Sequence, residues 1–300
     1  MTPPTPTALA ATPPTTAEDL TPKAILLKQA LELQPAKAGY PWQKTLMLGL
    51  LAGAFIGFGC EISTLIAHDA TPIVGHGLNR MFAGAVFSVG LMFVMIAGGE
   101  LFTGNTLMLS SLWLGKVRWH TLLANWGKVY VANFIGSVAL AALVVWAGTW
   151  EQNHALLGAY AVKTAVAKVT LPFGEAFARG ILCNLLVCLA VWQATACQRV
   201  SGKVLGIFFP IMTFIALGYE HCIANMFYIP KALFLQHLPT IQAHYASLHV
   251  APEALSHLTW LGFLHSLLPV TLGNIVGGGV FVGLAYTLAF MPHPHPETTP

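Results

Sequence analysis

Two stretches of this chain interrupt long apolar runs with the same polar pattern, and that pairing constrains the fold more than any other feature. Residues 218–225 read Gly-Tyr-Glu-His-Cys-Ile-Ala-Asn, and residues 98–105 read Gly-Gly-Glu-Leu-Phe-Thr-Gly-Asn. Glycine, glutamate and asparagine recur at the same offsets, and His221 of one stretch stands where Leu101 stands in the other. A charged side chain in hydrocarbon costs roughly 2.5–3.5 kcal/mol on insertion scales, so Glu100 and Glu220 mark functional positions. Non-helical backbone at membrane depth survives only inside protein or along a water-filled cavity. Matching breaks in two halves of a membrane chain point to a transport site between them.

The flanking runs carry the membrane reading. The chain is 56% hydrophobic and 8% charged, against about 25% charged in soluble domains, and its mean hydropathy is +0.68. Apolar segments run over about 44–68, 80–114 (interrupted at 98–99), 122–146, 173–196, 204–235 (interrupted at 218–225) and 261–290. Each is long enough for about 30 Å of hydrocarbon. The expected fold is an all-α membrane protein of six transmembrane helices, with the second and fifth broken. Asn133-Phe-Ile-Gly-Ser-Val in the third segment is echoed by Asn274-Ile-Val-Gly-Gly-Gly in the sixth. Three spans per half is an odd number, so the halves are inverted about a pseudo-two-fold axis in the membrane plane. Lys23, Lys28, Lys37, Lys44, Lys116, Arg118, Arg199 and Lys203 fall on one side, and Arg80, Lys163, Lys168 and Lys231 on the other. The positive-inside rule puts both termini in the cytoplasm.

Outside the spans, residues 1–19 are Pro/Thr-rich without a basic or apolar leader pattern, and read as a disordered tail rather than a signal peptide. Residues 20–43 hold an amphipathic helix and linker, with Ile25, Leu26, Ala30 and Leu33 at helical spacing, lying on the membrane or against the protein. Residues 44–291 form the channel domain and 292–300 a cytoplasmic tail, whose His293 and His295 read as a surface pair. Residues 155–169, with Lys163 and Lys168, read as an interfacial helix, and Glu61 as buried in a helix contact. The five cysteines lie in or beside apolar segments and suggest neither disulfides nor zinc. No HExxH pair and no nucleotide-binding loop is present. An integral-membrane enzyme is therefore disfavoured, no cofactor, metal or nucleic-acid partner is expected, and a purely structural scaffold leaves the paired breaks unexplained.

Three motifs carry a resemblance. Residues 97–104 (AGGELFTG), 180–190 (GILCNLLVCLA) and 218–226 (GYEHCIANM) resemble the signatures of the formate/nitrite transporter family, and the similarity extends over about 20–288. It implies an aquaporin-like protomer, a homopentamer, one pore per protomer, and a multi-pass protein of the bacterial inner membrane. The implied substrates are small monovalent anions of weak acids: formate, nitrite, hydrosulfide, and less readily acetate or lactate. Residues 256–259 (SHLT) and 268–279 (LPVTLGNIVGGG) resemble the formate branch, whereas residues 99–105 (GELFTGN with its leading Gly) are closer to the nitrite branch. Nitrite or hydrosulfide transport is thus the alternative to formate.

The resemblance also implies roles. His221 would be the pore histidine, with Thr103 as its hydrogen-bonding partner. Leu91 and Leu101 would form a cytoplasmic constriction, and Phe87 and Phe214 a periplasmic one. Asn184 and Asn274 would line the path, and Lys168 would attract anions at the outer side. Apart from the resemblance, Glu100 and Glu220 would, from their place at the breaks, accept backbone N–H bonds that hold the broken loops, or act as a second proton relay. An anion cannot cheaply enter a dry ring of Leu and Phe, whereas a neutral acid loses much less on desolvation. The expected mechanism is proton-coupled uptake, in which the anion takes a proton via His221 and passes a constriction as neutral acid, with an anion mode for export when His221 is unprotonated.

Overall fold

The computed structural model describes residues 18–291, and the regular structure among them is entirely helical. The expected tails, 1–17 at one end and 292–300 with His293 and His295 at the other, lie outside the described residues. Asp19 and Leu20 are tied down: Gln198 N donates to Asp19 Oδ1 at 3.2 Å, and Leu20 N to the Ala196 carbonyl at 3.0 Å.

Helix α1 spans 22–38 as three contiguous pieces, Pro22–Leu27, a π-wound Lys28–Leu33, and Gln34–Ala38. The hydroxyl of Thr21 accepts from Ala24 N at 3.4 Å, and Pro22 occupies the first helical position, where its missing N–H costs nothing. The helix lies against the protein. Leu26 and Ala30 are fully buried, and Ser111 Oγ donates to the Ala30 carbonyl at 2.8 Å.

Helix α2, Trp42–Gly98, holds 57 residues. It contains the first expected span, the start of the second up to its interruption, and the connection between them, which stays helical except at Gly75 (φ 79°, ψ 164°). That left-handed φ, which a residue without Cβ takes without penalty, folds the helix into two arms. Short helices α3 (Phe102–Asn105) and α4 (Met108–Trp113) follow the first interruption, then α5 (Trp119–Trp146). Helix α6 (Leu156–Val169) buries Leu157, Ala161, Val162 and Ala165, so it packs against the bundle. Then come α7 (Phe173–Ala196), α8 (Val200–Ala216) and α9 (Cys222–Leu235), which flank the second interruption. After the turns α10 (Pro239–Gln242) and α11 (Pro252–Leu255), the last helix α12 runs Trp260–Phe290, with Val276–Leu284 π-wound. Helices α2, α5, α7 and α12 are each long and apolar enough to cross a membrane. At 17 and 14 residues, α8 and α9 are singly too short for about 30 Å.

The bundle is closed by backbone-to-backbone approaches that only glycine allows. A methyl group on Gly136 of α5 would overlap the Leu50 carbonyl oxygen of α2, and one on Gly277 of α12 would overlap the Ile181 carbonyl oxygen of α7. Small residues are the usual means by which helices associate in lipid, where apolar burial gives no drive. Gly136→Ala and Gly277→Ala should each destabilise the protein by about 1–3 kcal/mol. Gly127→Ala, where a methyl meets nothing within 4 Å, should leave the melting temperature unchanged or slightly raised. Thermal unfolding in detergent compares the three; equal melting would contradict the packing of both helix pairs.

Candidate functional site

Both interruptions leave the helix in the same way. Gly98 (φ 101°) and Gly218 (φ 74°) adopt left-handed backbone, and Leu101 (φ −107°, ψ 124°) and His221 (φ −115°, ψ 117°) are extended. The next helix begins one residue later in each case. The peptide groups freed by the breaks are held by two asparagines. Asn133 Oδ1 accepts from Phe102 N at 2.9 Å, while its Nδ2 donates to the carbonyls of Gly49 and Glu100 at 2.8 Å each. Asn274 repeats this: Oδ1 accepts from Cys222 N at 2.9 Å, and Nδ2 donates to the carbonyls of Gly180 at 2.8 Å and Glu220 at 3.0 Å.

The two carboxylates bind side chains, not the backbone N–H groups expected of them. Glu100 accepts from Asn105 Nδ2 at 2.8 Å and pairs with Lys37 Nζ at 3.2 Å. Glu220 accepts from Asn225 Nδ2 at 2.7 Å and from Lys168 Nζ at 2.9 and 3.0 Å. The physical reason is that the asparagines of α5 and α12 already hold the nearest N–H groups. Lys37 lies as far before Gly49 as Lys168 lies before Gly180, so α1 and α6 play matching parts.

His221 is 3% exposed and bridges the two interruptions. Its Nδ1 accepts from Ala224 N at 3.1 Å, capping the first turn of α9. A capping nitrogen carries a lone pair, so the proton of the neutral ring sits on Nε2, which donates to Thr103 Oγ1 at 3.0 Å. The hydroxyl hydrogen of Thr103 is then left for a third group. Phe214 stacks beside the imidazole with centroids 6.0 Å apart, and Phe87 meets Phe214 edge-on at 5.5 Å.

Two chambers flank this cluster. The wide one, about 380 Å³, is lined by four cationic side chains, Arg80, Lys163, Lys168 and Arg179, against one carboxylate, Glu220. Lys168 is already matched by Glu220, and Arg179 meets Glu175 at 3.1 Å, so the field of the chamber belongs to the cluster rather than to Lys168 alone. Arg80 also binds the carbonyls of Ile215 and Ala216, which end α8. The narrow chamber, about 60 Å³, is lined by Leu91 and Leu101 together with Gln29, Gln34, Lys37 and Thr195. Along the second arm of α2 the wide chamber ends at Ala83, Phe87 follows, and the narrow chamber starts at Leu91. Eight helical residues rise about 12 Å, which is the length of the closed stretch occupied by Phe87, Phe214, Thr103 and His221.

Asn184 and Asn274 line neither chamber. Asn184 Nδ2 donates to the Thr103 carbonyl at 3.2 Å, Thr106 Oγ1 at 3.1 Å and the Asn274 carbonyl at 2.6 Å, so both amides act as clamps. The sequence reading also missed an ion pair between Glu61 and Lys231, the latter 1% exposed, and the roles of Asn133 and Lys37. Asn133 was signalled by its match to Asn274. Among the described residues no cluster of three or more His, Cys, Asp or Glu side chains is arranged for a metal.

The formate/nitrite transporter family model matches residues 24–288. The formate channel FocA of Escherichia coli (strain K12) is 34% identical over 274 residues, covering 91% of this chain and 95% of its own length. A probable formate transporter of Methanothermobacter thermautotrophicus is 37% identical over 268 residues, covering 84% of this chain and 90% of its own. A solved pentameric formate channel with formate bound superposes with a TM-score of 0.73 at 35% identity, over 83% of this chain and 97% of that one. Helices of membrane length, the shared motifs and these full-length matches lead to one assignment: this chain belongs to the formate/nitrite transporter family, a family of membrane transport proteins.

Proposed function

We propose that the chain is a bidirectional channel for formate and kindred small weak-acid anions, with proton-coupled uptake through His221. The observation that carries this reading is the buried imidazole bonded to Thr103 across two helix interruptions, with a cationic chamber on one side and an apolar door on the other. The names of the relatives support formate as the substrate.

In this reading the chain crosses the membrane six times as an inverted repeat of three plus three. The arms of α2 are the first span and the start of the second, which breaks at residues 99–101; α8 and α9 together make the broken fifth. The repeated asparagine, carboxylate and lysine contacts support it. Residues 44–291 are the channel and 20–43 its cover, and five copies assemble, each with its own pore. The protein sits in the bacterial inner membrane with both termini in the cytoplasm, so the wide chamber faces the periplasm and the narrow one the cytoplasm.

The cations of the wide chamber raise the local anion concentration. At the Phe87–Phe214 door an ion must shed water that apolar rings cannot replace. A proton arriving at His221 Nδ1 displaces the Ala224 N–H cap. The Nε2 proton then passes to Thr103 Oγ1 as the Thr103 hydroxyl proton passes to the anion. Anion plus proton leaves as neutral acid, and the imidazole is left neutral with its proton on Nδ1. The acid passes Leu91 and Leu101 without a charge to desolvate. Glu100 and Glu220 hold the interruptions through Asn105, Asn225 and their lysines.

His221→Phe should cut uphill formate uptake under an inward proton gradient to about a hundredth or less, measured in proteoliposomes. Wild-type uphill uptake in this variant would remove His221 from the mechanism. Vesicles holding the unaltered protein should pass formate faster than nitrite or hydrosulfide; the reverse order would shift the substrate. Lys163→Gln should slow entry from the wide chamber about threefold in low-salt buffer and by much less near 0.15 M salt, where charges are screened beyond about 8 Å. An equal loss at both salt levels would contradict electrostatic attraction.

A further inference from the structure

The wide chamber holds more cationic charge than its carboxylates answer. Arg80 enters it from the second arm of α2, Lys163 and Lys168 from α6, and Arg179 from α7. Lys168 is matched by Glu220, the one carboxylate on the wall, and Arg179 by Glu175. Arg80 and Lys163 meet no carboxylate among the described residues. Two positive charges from separate helices are thus left unmatched in one space. His76, Tyr160, Tyr219 and Tyr228 are the other titratable groups on the wall.

N–H donors are in excess as well. A guanidinium has five and an ammonium three. Arg80 commits Nε and Nη2 to the carbonyls of Ala216 and Ile215, Arg179 commits Nη2 to Glu175, and Lys168 makes two bonds to Glu220. Each of these three keeps at least one N–H, and Lys163 keeps all of its own. A ligand that brings acceptor oxygens and two negative charges answers both surpluses. The volume, about 380 Å³, far exceeds the roughly 10–15 Å³ that one water needs, so such an ion fits with water around it. It does not fit the way onward. Desolvation cost grows with the square of the charge, and one proton turns a dianion into an anion, not into a neutral acid, before the Phe87–Phe214 contact.

We propose that Arg80 and Lys163 make the wide chamber a binding site for a doubly charged tetrahedral oxyanion, of the sulfate or hydrogenphosphate class, which occupies the entrance without passing and competes with the transported monoanion. A membrane phosphodiester carries one charge and falls outside this class. The binding stands on the chamber itself; the competition rests on the function proposed above.

The test uses sulfate on the full-length protein at about pH 8, above the ordinary imidazole range, so that lysine and arginine charges are compared. Calorimetric titration in detergent at low salt should show sulfate binding once per chain, and methanesulfonate, with one charge fewer, about tenfold more weakly. In oriented phosphatidylcholine proteoliposomes, sulfate on the wide-chamber side at about four times its dissociation constant should raise the half-saturating formate concentration about fivefold at unchanged maximal flux. Methanesulfonate at equal ionic strength, or sulfate on the other side, should do much less, and labelled sulfate should accumulate no faster than in protein-free vesicles. Coulomb energy scales with the product of the charges. Lys163→Gln, expected to cost formate entry about threefold at low salt, should therefore cost sulfate about ninefold; Lys163 is exposed, and an unchanged melting temperature checks the fold. No binding of sulfate, equal losses for sulfate and formate in Lys163→Gln, passage of labelled sulfate, or equal inhibition from both faces would each overturn the proposal. Failure of the underlying function is distinct: the vesicles would pass no formate while calorimetry still showed sulfate bound and weakened by Lys163→Gln.

Discussion

Everything else in this structure depends on how two asparagine side chains replace missing turns of helix. In an apolar surrounding, an unpaired peptide N–H or C=O costs several kcal/mol. Each interruption frees such groups, and each is met by one carboxamide, which offers an acceptor oxygen and two N–H donors. Asn133 and Asn274 use that full capacity on backbone from the broken strand of chain and from a neighbouring helix. The helix contacts they bridge are themselves tight, because Gly49 sits against the Ala132 methyl group and Gly180 sits where two backbones nearly touch. An asparagine on a helix packed at ordinary distance could not reach both partners. The small-residue packing and the break are therefore one construction.

That construction appears twice, and the chemistry comes from where the copies differ. Each carries Glu, Asn and a lysine from a short preceding helix. One residue after the carboxylate, the first copy has Leu101, which lines the narrow chamber, and the second has His221, which reaches across to Thr103. Two leucines there would give an inert apolar seam, and two histidines would put a pair of ionisable rings in the closed stretch. One of each leaves one imidazole, bonded to Thr103, in that stretch.

The interruptions were legible because Gly, Glu and Asn repeat at fixed offsets, and the spans because their length and apolarity leave few alternatives. What stayed hidden follows from distance along the chain. Lys37 reads as an exposed charge on an amphipathic helix, since nothing near it in sequence marks Glu100 as its partner; only its spacing from Gly49, equal to that of Lys168 from Gly180, betrays the match. Glu61 and Lys231 are 170 positions apart and show no pattern at all. Gln29 and Gln34 look like ordinary solvent-facing residues because their burial is created by a helix docking on the far side of the chamber. Asn184 illustrates the opposite case: its motif identifies it as part of the site, but the motif does not say whether its amide faces a path or, as here, clamps Thr103 and Asn274.

The two chambers differ in a way that fits their proposed order in transport. The wide one has room for an ion with its water and a surplus of cationic groups to hold it. The narrow one is smaller by a factor of about six, and its lysine is already bound to Glu100 and Asn105. An anion entering the second space would lose its hydration and find little compensating charge, which at low dielectric is the costliest exchange the protein could impose. Charge is cheapest to remove before that point, and the His221–Thr103 pair lies in the roughly 12 Å between the chambers. The size of the narrow chamber thus bears on the proposed mechanism as directly as the imidazole does: in that mechanism it favours neutralisation before the acid enters it.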